Sequence, residues 1–460
     1  MKITDYTDKK VLDSIKVFES ISMMWDNSLS LYGDNIAIQE DAKTYTYKQL
    51  NEAIISFRGY LYDLGYKEGK NIKIVSSCTF GFVKAFLAAE TLGLCVTVLP
   101  EKEVDGALLP SEYSLEKKGS KTSSFYPTKE DKAVIMFTGG TTGVPKEAII
   151  SNRSIMTSLY NACLGYSNVF GQKYLHVLPM HHVFGLIRSM LTCLYTGGTL
   201  ILCKNPSSMF EVAIKENPNI SVLVPLLVQR GLEVSKKINK NAFGNSMKTI
   251  ITGAAPVAQN LAKACKDLNI TLCPGYGLTE TSCLVSGNPD ILNHPGSVGL
   301  CYPFQKVRIV DKEIQIKGDN LFSGYVNSDI DAFTNDGWFK SGDYGYLDED
   351  SFLYILGRKK EMLLTANGEN VFPSQVEAEF KTLVEVNECE LFVGEDASLH
   401  LEVYPNEVDK YKTCKEEENK LLLKLSKIND GLEKYQKASK ITLRYTDFPR
   451  TKSLKIIRRG

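Results

Sequence analysis

The segment Val134-Ile-Met-Phe-Thr-Gly-Gly-Thr-Thr-Gly-Val-Pro-Lys146 carries the densest chemistry in the chain. A β-rich run reaches Thr138, opens into Gly139, Gly140, Thr141, Thr142 and Gly143, and ends at Lys146. Glycines let several backbone N–H groups converge on one anion, because no Cβ blocks the left-handed conformations this needs. Threonine hydroxyls add donors, and the lysine adds a full positive charge. A Walker loop would require Gly-Lys-Ser/Thr; here Pro145 precedes the lysine and Glu147 follows it, which argues against that design. The plainer alternative is a Gly/Thr turn after a strand. Generic turns rarely combine a strand, glycines, threonines and a lysine, so the segment reads as a cradle for nucleotide phosphates.

Alternating strands and helices must hold this loop. Apolar residues recur at helical spacing over 53–64, Gly65 and Gly69 stop that run, and Ile72–Val75 reads as a strand. A helix over Phe82–Leu92 and a strand over Cys95–Leu99 follow. Further strands are expected at Leu175–Pro179, Thr199–Cys203, Val222–Pro225, Lys248–Thr252 and Thr271–Pro274. Strand–helix alternation argues for a parallel sheet covered by helices. The polar stretch Ser111–Asp131 reads as a connection. Between Gly299 and Tyr354, short apolar pieces separated by Gly, Asn and Asp suggest antiparallel strands in a barrel or small sheet. Charge rises at Gly357-Arg-Lys-Lys360, as at a hinge, and a small α/β unit follows. Within it, Asp409–Lys437 reads as a solvated helix with an apolar side made by Leu421, Leu422, Leu423 and Leu425.

The bulk numbers set limits. With 460 residues the chain calls for two to four structural units. At 43% hydrophobic and 23% charged it reads as a soluble globular protein. Lys+Arg and Asp+Glu stand at 54 each, so no bulk field favours nucleic acid. The start lacks the apolar core of a signal peptide, and Lys84 and Glu90 interrupt the most apolar long stretch. An odd set of eleven cysteines with no CxxC pair reads as reduced thiols in a cytoplasm.

Six further segments follow the loop in order: Leu178-Pro-Met-His-His-Val-Phe-Gly185, Thr252-Gly-Ala-Ala-Pro256, Gly275-Tyr-Gly-Leu-Thr-Glu-Thr281, Gly337-Trp-Phe-Lys-Ser-Gly-Asp343, Gly357-Arg-Lys-Lys-Glu361 and Phe448-Pro-Arg-Thr-Lys-Ser-Leu-Lys-Ile456. Together they resemble the core motifs of the acyl-adenylate-forming superfamily: acyl-CoA synthetases, luciferases and the adenylation domains of peptide synthetases. The acyl-CoA synthetases are the most similar branch, and the resemblance runs from about Thr44 to Arg458.

That resemblance implies an α/β fold. A large N-terminal domain over 1–356 would hold two helix-covered, mainly parallel sheets and a small β-barrel-like subdomain. A hinge at 357–360 would lead to a small mobile α/β C-terminal domain over 361–460. The implied reaction is attack of a carboxylate on the α-phosphate of ATP, with pyrophosphate leaving, then transfer of the acyl group to a thiol. Two anions must meet, so cations and hydrogen-bond donors are needed at the transferring phosphate. By the resemblance, Thr138–Lys146 would hold the leaving phosphates, Thr279 would bond the α-phosphate and Glu280 would hold Mg²⁺. Thr-Glu-Thr after Gly277 is also a helix-capping pattern, and the two roles can coexist. Asp343 would accept both ribose hydroxyls, with Arg358 adding a donor. Tyr276 would stack on adenine, beside Gly277, with Gly253, Ala254, Ala255 and Pro256 along the other side. His182 would sit by the incoming carboxylate, while His181 is open to a structural role. Val183 and Phe184 either line the acyl entrance or belong to the core. Lys455 is expected to be the mobile catalytic lysine, and Gly368 to leave room for a pantetheine arm after rotation about Lys360.

Three positions depart from the family pattern: Gly139 for Ser, Glu147 for Gly, and Leu454 for the Gly before the catalytic lysine. The last would be strained if that position needs positive φ. The first-ranked acceptor is CoA. Phosphopantetheine on a separate carrier protein is the alternative, and a catalytically weak adenylate-binding protein the third reading. The expected partners are a small carboxylic acid and ATP with Mg²⁺; no nucleic acid partner and no integral membrane segment are expected. The acid itself is not readable from the sequence.

Overall fold

The computed structural model describes residues 1–100, 106–120, 122–138, 145–257, 259–326, 332–365, 368–450 and 456–459. Two sheets dominate the first three-quarters of the chain. In the smaller, Asn71–Val75, Cys95–Leu99 and Lys132–Phe137 run parallel. Glu147–Ser151 turns back antiparallel on Lys132–Phe137, and the two-residue strand Gly324–Tyr325 covers its edge. The expected phosphate loop therefore connects two antiparallel neighbours, Lys132–Phe137 and Glu147–Ser151.

The larger sheet has thirteen strands among the described residues. Its parallel middle places Thr199–Leu202, Lys173–His176, Ile220–Leu223, Thr249–Thr252 and Thr271–Tyr276 side by side. Beyond Thr271–Tyr276 every pairing is antiparallel, through Ser286–Gly287, Gly299–Cys301, Phe352–Arg358, Phe339–Leu347, Glu313–Gly318 and Gln305–Val310. The antiparallel subdomain expected from the sequence thus continues the parallel sheet at one strand, the one that carries Tyr276.

Local chemistry explains the helices. Tyr47–Asp63 starts on a reciprocal cap: Gln49 N donates to Thr46 Oγ1 at 3.2 Å, and Thr46 N donates to Gln49 Oε1 at 2.9 Å. Leu50, Ile54, Phe57 and Leu61, at helical spacing, are all buried. Phe80–Thr91 is buried all round. Its Lys84 is satisfied by donating to Leu115 O at 3.1 Å. No helix among the described residues is long and apolar enough to cross a membrane. The connection over 111–131 holds only the end of a short helix, Pro110–Tyr113, among its described residues.

Past Arg358 the chain builds a three-stranded sheet from Val386–Val393, Leu399–Pro405 and Lys440–Leu443, with helices Pro373–Phe380 and Lys415–Gly431. Its core is its own, with Phe380, Leu391, Leu401, Leu421 and Leu425 buried together. Leu423 is exposed, so the charged helix buries one side only. Arg458 reaches back to a buried carboxylate, donating from Nη1 and Nη2 to the two oxygens of Glu377 at 2.7 and 2.8 Å.

Candidate active site

The strand Thr271–Tyr276 and the turn after it organise the site. Tyr276 leaves the end of the strand with its hydroxyl donating to Asp343 Oδ2 at 2.5 Å. Arg358 Nε lies 2.9 Å from the other oxygen of that carboxylate. Asp343 and Arg358 are direct partners across the ladder between Phe339–Leu347 and Phe352–Arg358, which fixes the pair by register. Asp343 N donates to Ser341 Oγ at 3.0 Å, and Ser341 Oγ donates to Ile314 O at 2.6 Å, so the backbone behind the carboxylate is also held. Burial, then the neighbouring Asp343, pushes the Tyr276 phenol well above its ordinary range, so it remains a donor. The resemblance implied an adenine-stacking ring at Tyr276; the structure shows its hydroxyl bracing the Asp343 carboxylate.

Gly275 and Gly253 lie at the ends of neighbouring parallel strands. A Cβ on Gly253 would meet Gly275 O at 3.1 Å and the Phe184 ring at 3.5 Å. Ala254 takes φ 67°, and Ala254, Ala255 and Pro256 are exposed beyond it. Gly277 has no alternative: a Cβ there would lie 1.6 Å from Cys283 O.

In the turn Thr279–Thr281 the cap and the carboxylate are on different residues. Thr281 performs the cap, with Leu278 N donating to Thr281 Oγ1 at 2.9 Å and Thr281 Oγ1 donating to Leu278 O at 3.1 Å. Glu280 Oε1 accepts from Tyr325 OH at 2.7 Å. Lys146 Nζ stands 5.0 Å from the centre of the Tyr325 ring, a cation–π contact. Tyr325 therefore bridges the carboxylate expected to hold Mg²⁺ and the lysine of the phosphate hairpin. Sequence reading missed it; its only signal was a Gly-Tyr pair in the antiparallel region, which no spacing rule marks. Burial and Glu280 raise its phenol far above the ordinary value.

The base of the phosphate hairpin is closed by Thr138 N donating to Lys146 O at 2.8 Å and Lys146 N donating to Thr138 Oγ1 at 3.2 Å. Gly139, Gly140, Thr141, Thr142 and Gly143 lie outside the described residues, as do Leu454 and Lys455. Glu147 opens the returning strand opposite Phe137, and its carbonyl accepts from Val326 N at 2.8 Å.

At the acid end, His181 Nδ1 and Ser76 Oγ share a hydrogen bond of 3.0 Å. Burial, then the adjacent His182, lowers His181 to about 4, so it is neutral at pH 7. Its ring centre is 4.4 Å from that of His182. His182 heads the helix Phe184–Leu191, with its carbonyl accepting from Gly185 N and Leu186 N. Gly368 occupies a turn between the short strands Leu363–Leu364 and Asn370–Val371, with open space where a Cβ would stand. Among the described residues, no backbone hydrogen bond links it to the cluster around Tyr276.

Two carboxylates, Asp343 and Glu280, each held by a phenol, thus flank one strand end. The Glu280 oxygen not bonded to Tyr325 suits an oxygen-seeking divalent cation. Residues 101–326 match the family described as AMP-binding enzyme. Over those residues the chain is similar to AMP-binding enzymes, in keeping with the acyl-adenylate-forming motifs of its sequence.

Among curated relatives, the 2-succinylbenzoate–CoA ligase of Listeria monocytogenes serotype 4b is 28% identical over 373 residues, 74% of this chain and 79% of that one. The ligase of the same name from Bacillus cereus strain Q1 is 26% identical over 388 residues, 75% and 79% of the two chains. The o-succinylbenzoate CoA synthetase of Bacillus subtilis, solved with its acyl-adenylate intermediate, shares the fold at a TM-score of 0.80 and 21% identity, over 95% of this chain and 96% of that one. ATP-bound MatB of Rhodopseudomonas palustris gives 0.79 and 21% identity, over 94% and 96%.

Proposed function

We propose that this chain is an ATP- and Mg²⁺-dependent acid–CoA ligase that forms an acyl-adenylate and then passes the acyl group to CoA. The observation that carries the reading is the convergence at one strand end of Tyr276–Asp343–Arg358 with Glu280–Tyr325–Lys146. The first set suits a ribose; the second suits a metal-bound polyphosphate. Mg²⁺, when bound, neutralises phosphate charge so that a carboxylate can approach. In this reading the segment Thr138–Lys146, closed at its base by hydrogen bonds between those two residues, takes the leaving phosphates, and Thr279 bonds the α-phosphate. Neutral His181, fixed by Ser76, sets the ring of His182 beside the incoming acid.

Residues 1–356 form the nucleotide-binding domain in this reading, 357–360 the hinge and 361–460 the small domain. One pose delivers Lys455 to the α-phosphate, where its charge stabilises the transferring group. The other brings Gly368 alongside the pantetheine arm. Hinge residues absorb a backbone rotation and need no chemistry of their own, which suits Lys360. Reliance on ATP and CoA fits a cytoplasmic enzyme.

The test is to incubate the protein with ATP, Mg²⁺, CoA and a panel of carboxylic acids and to identify products by mass spectrometry. 2-Succinylbenzoate, the acid named for the curated relatives, comes first in the panel. AMP, pyrophosphate and an acyl-CoA are the expected products. Acyl-adenylate that CoA does not consume but a phosphopantetheinylated carrier does would move the acceptor to a carrier protein. ADP and phosphate in place of AMP and pyrophosphate would refute the mechanism.

A further inference from the structure

The edge of the large sheet where its parallel strands begin carries lysines without counter-charge. Between residues 231 and 271 the chain has six lysines, no arginine and two carboxylates, Glu233 and Asp267, although Lys+Arg and Asp+Glu are equal over its whole length. Lys236, Lys237, Lys240, Lys248, Lys263 and Lys266 are all exposed. None of them forms an ion pair among the described residues. The lysines of the charged helix in the small domain behave differently: Lys415, Lys420 and Lys424 each pair with a glutamate. Glu233 is occupied by Gln229, whose Nε2 donates to it at 3.3 Å.

The fold gathers these residues. Helix Pro225–Ile238 leads into strand Thr249–Thr252, and helix Gln259–Asp267 into strand Thr271–Tyr276, so both helices end where the parallel strands begin. Lys248 N donates to Asn219 O and Thr271 N to Lys248 O, each at 2.8 Å, which sets three strand starts side by side. Lys173 N donates to Asn219 Oδ1 at 3.0 Å, so a further exposed lysine joins the same edge. Lysines in the last turn of a helix answer the helix dipole, which accounts for Lys236, Lys237 and Lys266. It does not account for Lys173, Lys240 or Lys248, which lie outside the helices. Ile238, 46% exposed, sits between Lys237 and Lys240. The candidate site opens at the opposite end of the same strands, at Gly253 and Tyr276, about 16 Å from Lys248 along the strand.

We propose that this edge is a docking surface for an anionic lipid bilayer, which holds the protein peripherally with the site at Tyr276 facing away from the membrane. Unpartnered lysines keep their full charge for a diffuse polyanion, and each adds separately to attraction near an anionic membrane. Ile238 supplies an apolar contact among the charges, as interfacial segments do, and lysine stems lie along an interface while their ammonium groups meet phosphates. The segment lacks arginine forks, and its one aromatic ring, Phe243, is buried, so the groups that grip nucleic acid phosphates and stack bases are missing. A carrier protein that had to deliver a thiol would dock at the other end of the strands. No helix among the described residues is long and apolar enough to cross the bilayer, and surface docking needs none. The proposal goes beyond the ligase reading and does not rest on it.

The experiment is co-sedimentation of the full chain with vesicles of phosphatidylcholine, alone or with about 30% phosphatidylglycerol, at about 0.05 M and about 0.5 M salt. The wild type should pellet with the anionic vesicles at low salt, leave them at high salt, and stay in solution with the neutral ones. Lys237→Gln, Lys240→Gln and Lys248→Gln together should weaken binding by about 100-fold, at roughly 5-fold for each lysine. Lys415→Gln, Lys420→Gln and Lys424→Gln together remove the same charge from the small domain and should leave binding near that of the wild type. Equal loss in the two triple variants would reduce the effect to net charge and overturn the proposal, as would equal pelleting with neutral vesicles. Binding to duplex DNA or to polyglutamate, with binding to neither vesicle, would overturn the bilayer as the occupant. Acid-dependent pyrophosphate exchange on the same preparations reports on the ligase reading separately: its absence would overturn that reading and leave the vesicle result standing.

Discussion

Two phenols brace Asp343 and Glu280, the two carboxylates to which the proposed reaction assigns the nucleotide and its metal. Tyr325 donates to Glu280 and lies under Lys146, so its loss frees both partners at once. A hydrogen bond to a charged group contributes about 1.5–3 kcal/mol. Tyr325→Phe should therefore raise the Mg²⁺ concentration needed for half-maximal rate by about 10-fold, with a smaller change in the KM for the acid; Mg²⁺ titrations at fixed ATP measure this. An equal fall at every Mg²⁺ concentration would show instead that Tyr325 is only structural. Asp343→Asn should cost about 100-fold in kcat/KM for ATP, because a charged acceptor of two hydroxyls becomes a neutral amide facing Arg358. Full activity with 2′-deoxy-ATP as good as with ATP in the wild type would contradict that role.

At the scale of elements, the turn after Tyr276 is the part least open to change. Gly277→Ala would place a Cβ 1.6 Å from Cys283 O, so the turn must move and carry Thr279 and Glu280 with it. A loss of about 1–3 kcal/mol in stability is expected, read as a lower thermal midpoint, together with weakened ATP binding by calorimetry. Much of this layer was legible in the sequence. The strands Asn71–Val75, Cys95–Leu99 and Thr249–Thr252 stand where apolar runs bounded by glycine and polar residues put them. Motif order placed Tyr276, Glu280, Asp343 and Arg358 on the elements that the fold then brings together. Tyr325 was not legible, because its value comes from pairing across Gly324–Tyr325 to Glu147–Ser151, a non-local contact with no period. That Thr281 makes the cap while Glu280 turns to Tyr325 likewise needed coordinates.

At the scale of the molecule, the buried His176 and the half-buried His181 set an acid limit on stability. Burial lowers His176 and His181 to about 4, below the ordinary 6.5. The unfolded chain therefore takes up these protons first as pH falls. Their contribution is fully present above about pH 6.5 and is lost progressively down to about pH 4, with a slope of about 1.4 kcal/mol per pH unit for each. Urea midpoints should fall across that window more steeply in the wild type than in His176→Gln; parallel profiles would contradict the assignment. The two-pose reading of the domains makes a separate demand. Lys455→Ala should cripple adenylate formation yet leave CoA capture of a supplied acyl-adenylate nearly intact, since each pose serves one half-reaction. The most direct test of the whole account is pyrophosphate exchange without CoA, using the acid that the product screen identifies. Exchange should require acid, ATP and Mg²⁺ together and should collapse in Glu280→Gln and Asp343→Asn. Exchange that survives both substitutions unchanged would show that the braced carboxylates beside Tyr276 are not where ATP is bound.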